Sequence, residues 1–208
     1  MEEKESLERR RQVFHLLLGT FIVILYKIGI LNTSILFIIF LAGFTLSVLS
    51  FRYNVPGIKW FLKRFEREED FKKSPGKGCL MYISGVLITL LVFKEEIALA
   101  AIMILAVGDS VSHMIGKYFG RYKFSNAKHL EGTLAGIFFA GLVASMFVDY
   151  KLAFIGSVVG MLTEVVDLKI GKMEIDDNLI IPILAGLTMH LAQNTAITGL
   201  VTAIAGFV

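Results

Sequence analysis

Cysteine is nearly absent from this chain. Its 208 residues include one cysteine, Cys79, which excludes an internal disulfide. Because Cys79 begins an apolar run, we expect a small buried side chain there. Alternating segments of strand length are also missing. No cleavable signal peptide is expected, because the first apolar run lacks a small-residue cleavage site and a second spanning run follows it directly.

Charge is missing from long stretches of the sequence. Hydrophobic residues make up 55% of the chain and the mean hydropathy is +0.70, whereas soluble proteins average about 45–50% apolar residues. Uncharged runs of helix-spanning length, about 17–25 residues, recur throughout. Since all-helical spans fit this pattern better than a barrel, we predict an all-α, polytopic transmembrane helix bundle that forms a single membrane-embedded catalytic domain over residues 1–208.

The apolar runs predict seven or eight transmembrane helices. Six of them are expected at about 12–30, 33–51, 79–93, 97–115, 134–148 and 152–166. Residues 179–208 carry no formal charge and are too long for one ordinary span. Because Pro182 lies inside this run, we favour two segments there, with one helix as the alternative. The long polar segment before Cys79 has apolar residues at helical spacing, which predicts an amphipathic interfacial helix around 57–68.

Lysine and arginine are unevenly distributed among the predicted loops. If the N-terminus is cytoplasmic, 18 of the 21 basic residues fall on the cytoplasmic side. Only Lys27, Lys94 and Lys151 fall on the other. The positive-inside rule therefore predicts that the N-terminus and the active site lie on the cytoplasmic side, where nucleotides are found.

Asp109 is a carboxylate within an apolar run. An ionised carboxylate in a bilayer costs at least about 2.5–3.5 kcal/mol, so we expect a functional role, with a structural hydrogen bond between helices as the alternative. His113 lies four residues further on, and Ser112 and Gly116 are expected to extend the same face.

Arg11, His15 and Gly19 form a second stripe near the start of the chain, each four residues from the next. Arg11 is explained equally well as an interfacial anchor. The functional alternative is that Arg11 and His15 reach the same cavity as Asp109, one contacting phosphate and the other orienting a ligand.

A basic segment with two glycines follows Asp109. Its cations include Lys117, Arg121 and Lys128, and glycines allow backbone amides to approach phosphate closely. Contact with anionic lipids is the alternative. The spacing does not fit a Walker A loop, because Tyr118 follows Lys117 where Ser or Thr is required.

Acidic and amide side chains recur at the predicted cytoplasmic ends of later helices. Oxygen ligands of this kind hold Mg²⁺ together with substrate phosphates, although helix capping explains the same residues without a ligand. The residues concerned are Glu131, Glu164, Asp176, Asp177 and Asn178. With Gly132 and Thr133 at a helix N-terminus, which is an anion site, the pattern indicates transfer between a phosphorylated soluble donor and a lipid.

Four segments of this sequence resemble the dolichol kinase, CTP-dependent diacylglycerol kinase and phytol kinase superfamily, and are more distantly similar to phosphatidate cytidylyltransferases. These segments are RRRQVFHLLLG, GDSVSHMIGKYFGRYKF, KHLEGTLAG and DDNLIIP. The resemblance implies CTP as co-substrate and Mg²⁺ or another divalent cation as cofactor. His129 departs from the pattern, because many members have Ser or Thr there.

The residue pattern, together with the resemblance, predicts roles for individual residues. Catalytic roles are expected for Asp109, Glu131 and Asp177, and metal binding for Asp109, Asp177 and Asp176. Nucleotide and phosphate binding is expected for Lys117, Arg121, Lys128, Gly132, Thr133 and Asn178. Substrate positioning is expected for Arg11, His15, His113 and Glu164.

The predicted function is therefore a CTP-dependent lipid kinase that phosphorylates a polyprenol, a dolichol-like alcohol or a diacylglycerol-type lipid. A cytidylyltransferase that makes a CDP-lipid is the enzymatic alternative, and a small ion-coupled transporter is the alternative of another class. The expected partners are CTP and a membrane lipid, without nucleic acid. The small residues of the later helices would permit a homodimer.

Overall fold

Helices make up nearly all of the ordered structure. The computed structural model describes residues 2–53, 56–66, 71, 74–124, 128–166, 169–170 and 173–205. The helices in these ranges are α1 (Glu2–Lys27), α2 (Thr33–Arg52), α3 (Pro56–Phe65), α4 (Lys77–Val92), α5 (Glu95–Phe119), α6 (Leu130–Ala144), α7 (Tyr150–Val165) and α8 (Asp177–Ala205). A two-residue antiparallel ladder, β1 (Lys169–Ile170) with β2 (Met173–Glu174), precedes α8. The all-α prediction is confirmed for this part of the chain.

Helix α5 lies at the centre of the bundle. Residues 97–108 are all buried, and α1, α4, α6, α7 and α8 pack around them. The middle of α5, Ile104–Asp109, is a π-helical segment. Such segments are rare and are frequent at functional sites, and this one ends on Asp109. Its dihedral angles are not encoded by any pattern of apolar residues, so the sequence predicts only a continuous helix here.

Within the residues that the structure describes, two helices are long and apolar enough to cross a membrane, at Thr33–Ser50 and Glu95–Phe119. They differ in burial, because α5 is enclosed by other helices whereas α2 exposes most of its apolar side chains. Two shorter helices, α4 and α6, are also apolar. The outer apolar surface of α2 is what a helix facing lipid presents.

The amphipathic helix is present as α3. It packs Phe61 and Phe65 against Phe14 of α1, with ring centroids 5.4 and 5.0 Å apart, while Trp60 stays exposed. Residues 67–68 of the predicted range lie outside the described residues.

The prediction of two segments within 179–208 is wrong for the residues that the structure describes. A single helix, α8, runs through Pro182. Pro182 has no N–H to donate to the carbonyl of Asn178, and that carbonyl instead faces α4 at Gly85, where a Cβ would overlap it. Close packing of two helices therefore accommodates the proline without a break.

The glycines that were expected to permit a homodimer pack against other helices of the same chain. Gly108 and Gly136 lie at the α5–α6 crossing, and Gly156 and Gly160 pack against α8 and α5. A homodimer stays a prediction, and these glycines no longer argue for it.

Candidate functional site

The candidate site lies at the end of the bundle where α1, α6 and α8 begin and where α5 and α7 end. Lys27 pairs with Glu95 at the opposite end, with Nζ and Oε1 3.4 Å apart. Because successive helices run antiparallel, residues from five helices and one loop can meet at the site end. The sequence predicts this convergence, and the structure shows which residues make contact.

Glu164 and Lys128 form an ion pair at the centre of the site. The Glu164 side chain is 1% exposed, and its Oε1 accepts a hydrogen bond from Lys128 Nζ. Asp177 Oδ2 lies 3.8 Å from the same Nζ. Burial alone would lower the pKa of Lys128, but the negative charges of Glu164, Asp109 and Asp177 outweigh burial and raise that pKa. Lys128 is therefore a fixed cation surrounded by carboxylates.

Asp109 is half-buried at the end of the π segment. Its charge acts on His15 of α1, His113 of α5, Lys128 and Glu164. This one carboxylate therefore faces groups from α1, from α7 and from the loop before α6. The sequence prediction that distant residues meet around Asp109 agrees with this arrangement.

Helix α1 contributes a second charged group. Glu8 Oε1 accepts a hydrogen bond from Arg11 Nη2 at 2.6 Å and lies 3.7 Å from His113 Nε2. Glu8 thus connects α1 to the end of α5 and holds Arg11 beside the site. The sequence analysis missed Glu8, because it begins the first helix at residue 12. Its spacing of three from Arg11 and seven from His15 is the signal that would have placed it on their face.

His113 does not share a face with Ser112 and Gly116. His113 turns to Glu8 on α1, whereas Ser112 and Gly116 pack against Gly132 on α6. The expectation of one common polar stripe is wrong. Ser112 and His113 lie three and four residues after Asp109, so they point to the two sides of Asp109 on the helix surface. A different helix packs on each side, α6 against Ser112 and α1 against His113.

The three polar residues at the start of α8 cap that helix. The carbonyl of Asp176 accepts from the Leu179 and Ile180 N–H groups at 3.0 and 3.2 Å. Its Oδ1 accepts from the backbone N and the side-chain Nδ2 of Asn178 at 3.2 and 2.9 Å. Asp176 and Asn178 therefore hold each other, and Asp177 is the member of the trio that reaches Lys128.

Gly132 and Thr133 are buried at the crossing of α5 and α6. A Cβ on Gly132 would overlap the carbonyl oxygen of Ser112 and lie 2.9 Å from Gly116 N. The Thr133 hydroxyl donates to the carbonyl of His129 at 3.2 Å. Gly132 thus packs against α5, and the Thr133 hydroxyl is hydrogen-bonded within its own chain segment. Phosphate binding by either residue stays a prediction.

We expect Gly132→Ala to loosen the α5–α6 crossing. The added methyl group has no room, and overpacking of this kind costs about 1–3 kcal/mol. Thermal unfolding in detergent measures the effect. Gly78→Ala is the matched control, because a Cβ at Gly78 meets nothing within 4 Å. Equal unfolding temperatures for the two variants would show that the crossing is not tight.

The basic segment carries its cations outward. Lys117 and Arg121 are exposed, and Lys117 Nζ lies 5.5 Å from the ring centroid of Tyr118. Glu131 fastens this segment, since both of its carboxylate oxygens lie 3.3 Å from Tyr122 N. The geometry gives Glu131 a contact that holds the loop, and its catalytic role stays a prediction.

The predicted metal ligands do not form a cluster. Among the described residues, no group of three or more His, Cys, Asp or Glu side chains is placed to hold a metal ion. Asp176 faces Asn178, and the Lys128 ammonium lies between Glu164 and Asp177. Metal binding by Asp109, Asp176 and Asp177 stays a prediction.

Comparison with known proteins gives relatives along most of the chain. An uncharacterized protein of Methanocaldococcus jannaschii is 29% identical over 191 residues, covering 86% of this chain and 91% of the relative. The CTP-dependent diacylglycerol kinase 1 of Schizosaccharomyces pombe is 28% identical over 207 residues, covering 87% of this chain and 91% of the relative. Its namesake in Saccharomyces cerevisiae is 26% identical, covering 89% and 73%.

No protein-family model matches the chain, and no solved structure matches it. The named relatives support the CTP-dependent lipid kinase family. They do not bear on dolichol kinases, phytol kinases or cytidylyltransferases, so likeness to those groups stays a prediction.

Proposed function

We propose that this chain is a membrane-embedded CTP-dependent kinase that transfers the γ-phosphoryl group of CTP to the hydroxyl of a diacylglycerol-type or polyprenol-type lipid. The relatives named CTP-dependent diacylglycerol kinase indicate a lipid kinase, that is, a phosphotransferase that acts on a hydroxyl group. The observation that carries the proposal is the Lys128 ammonium held among Glu164, Asp177 and Asp109 at one end of an apolar bundle.

Lys128 is suited to binding the triphosphate. Phosphoryl transfer depends mainly on positioning and on groups that neutralise phosphate charge. Glu164 fixes the Lys128 ammonium before substrate arrives, so little reorganisation is needed when phosphate binds. The exposed cations Lys117 and Arg121 are positioned to attract CTP from solution.

The residues present fit a magnesium ion carried by the nucleotide. Mg²⁺ is usually bound through one or two carboxylates together with substrate phosphates, so a three-residue cluster is not required. Within the described residues, Glu164 Oε2 is buried and has no hydrogen-bond partner, and hard oxygen donors of this type suit the ion. Asp109 and Asp177 would hold it, and it would neutralise developing charge on the phosphates.

Asp109 is the residue we propose as general base. It lies between the charged groups of the site and the buried core of α5, where a lipid hydroxyl entering between helices would arrive. A carboxylate within hydrogen-bond reach can take the hydroxyl proton as the phosphoryl group is transferred.

We propose a cytoplasmic location for the N-terminus and the site. The support is the excess of Lys and Arg at the site end, together with the exposed apolar surface of α2.

Cysteine labelling tests this orientation. In a Cys79→Ser background, Lys123→Cys at the site end and Lys151→Cys at the opposite end each place one thiol at an exposed position. A membrane-impermeant maleimide should label only Lys123→Cys in inside-out vesicles and only Lys151→Cys in right-side-out vesicles. The reverse labelling pattern would contradict the proposed orientation. It would have no bearing on the proposed kinase reaction.

An assay of purified protein in detergent tests the reaction. CTP, ATP and UTP are each supplied with Mg²⁺ and with diacylglycerol, a polyprenol or phytol as acceptor. We expect CTP-dependent formation of a lipid phosphate with one class of alcohol. Absence of CTP consumption with every alcohol would contradict the proposed function.

A further inference from the structure

Two buried polar atoms on α1 lie beside Asp109 without a partner. Gln12 is 1% exposed and His15 is 6% exposed. Within the described part of the chain, neither Gln12 Oε1 nor His15 Nδ1 has a hydrogen-bond partner. Buried polar atoms are rarely left unpaired, because each such atom forfeits its hydrogen bond to water. Two of them on adjacent turns of one helix indicate a place for a small polar group.

The surroundings of this pair are already hydrogen-bonded. The Ser110 hydroxyl donates to the carbonyl of Gln12 at 3.0 Å, and the Tyr82 hydroxyl donates to the carbonyl of His15 at 3.2 Å. The His15 ring also packs against the Tyr82 ring in a tilted arrangement, with centroids 5.1 Å apart. The backbone of α1 is thus fixed against α4 and α5. Among the described residues, three buried side-chain atoms on this stretch of α1 remain without a hydrogen-bond partner: Arg11 Nε, Gln12 Oε1 and His15 Nδ1. Ser110 is next in sequence to Asp109, so a ligand bound here would lie beside the proposed base.

The chemistry of the pair matches a neutral hydroxyl group. A phosphate needs cations or several N–H donors, whereas Gln12 Oε1 can only accept. The Arg11 guanidinium already pairs with Glu8 through Nη2, although its Nε is buried without a partner among the described residues. A hydroxyl offers one donor and two acceptor lone pairs. Before transfer it can donate to Gln12 Oε1 and accept from the His15 Nδ1–H, and its O–H turns from Gln12 to Asp109 when Asp109 takes the proton. The apolar core begins one turn beyond His15, where Ala106 of α5 lies against Gly19, and an apolar environment of this kind suits the chain of a lipid.

We propose that Gln12, together with His15, binds the hydroxyl group of the lipid alcohol and holds it beside Asp109. This rests on the proposed kinase function and adds the residue that recognises the acceptor. Gln12 is then a specificity residue for the lipid alcohol and not for CTP.

Gln12→Leu separates the two sides of the reaction. This variant keeps a similar volume and removes the amide, so we expect KM for the lipid alcohol to rise about 10-fold while KM for CTP stays within twofold. A rise in KM for CTP alone, or no change in either KM, would overturn the proposal. Gln12→Met, which is longer and more flexible, gives the same readout should Gln12→Leu fold poorly.

Thr89→Val is the matched control, because Thr89 is fully buried and its hydroxyl donates to the carbonyl of Gly85 within α4. It should leave both KM values unchanged. A purely structural Gln12 predicts a higher unfolding temperature for Gln12→Leu, since an unpaired polar atom has been removed, with no change in KM.

Binding without turnover provides an independent test. In the absence of nucleotide, dioctanoylglycerol should raise the unfolding temperature of the wild type more than the same lipid with its hydroxyl acetylated. Gln12→Leu should abolish that difference. Equal stabilisation of the wild type by both lipids would overturn the hydroxyl site. Because no nucleotide is used, this result is separate from the kinase assay, whose failure would count against the proposed function.

Discussion

Asp109→Asn should lower kcat by about 10²–10³-fold, the usual cost of losing one preorganised electrostatic group in an active site. The amide keeps the shape of the side chain but can neither accept the hydroxyl proton nor attract a magnesium ion. It also removes a negative charge that acts on Lys128 and Glu164. Steady-state kinetics with CTP and the preferred lipid alcohol measure the loss, and the unfolding temperature shows that the helix bundle is intact.

Asp149→Asn is the matched control. Asp149 is exposed at the opposite end of the bundle, where its Oδ1 accepts from Lys151 N at 2.9 Å. This change should leave kcat unaltered. Near-normal turnover by Asp109→Asn would show that the reaction is organised around another residue.

Lys128→Met should have the second large effect, and it should change stability as well as activity. Removing one partner of a buried ion pair leaves an uncompensated charge, here on Glu164, and costs about 3 kcal/mol in free energy of unfolding. We also expect kcat to fall by about 10²-fold, because the fixed cation for the triphosphate is lost.

The double variant Lys128→Met/Glu164→Gln separates these two effects. It removes both charges, so most of the lost stability should return, while kcat should stay low. Denaturant titration in detergent and CTP-dependent kinetics on the same preparations give the two readouts. Recovery of activity in the double variant would mean that Lys128 serves the fold and does not bind phosphate.

Much of the fold could be predicted from apolar runs, because a membrane helix must satisfy its own backbone in lipid. The run at 33–51 is observed as Thr33–Arg52. The first helix is longer than predicted, since it begins at Glu2, and an apolar run marks only the part of a helix that needs an apolar environment. Pro182 misled the prediction because its cost depends on where the freed Asn178 carbonyl goes, which is set by Gly85 on another helix.

The sequence predicts which residues belong to the candidate site better than it predicts which of them contact one another. The positions of Asp109, Lys128, Glu164 and Asp177 at one level follow from helix order. Which carboxylate contacts Lys128 depends on side-chain directions, and a pattern of apolar runs does not encode them. For Asp109, the direction follows from the π segment that ends on this residue. Glu8 was not predicted because it lies outside the apolar run. Gln12 was not predicted because its amide is uncharged, and the site residues were identified mainly by charge.

The most direct test of the central claim is to supply purified protein with CTP labelled at either the α- or the γ-phosphorus, together with Mg²⁺ and, in parallel reactions, either diacylglycerol or phosphatidate. The account predicts that γ-label enters diacylglycerol, that α-label enters neither lipid, and that Asp109→Asn lowers the rate of incorporation by about 10²–10³-fold. Entry of the α-label into a lipid phosphate, with release of pyrophosphate, would identify a cytidylyltransferase and contradict the account.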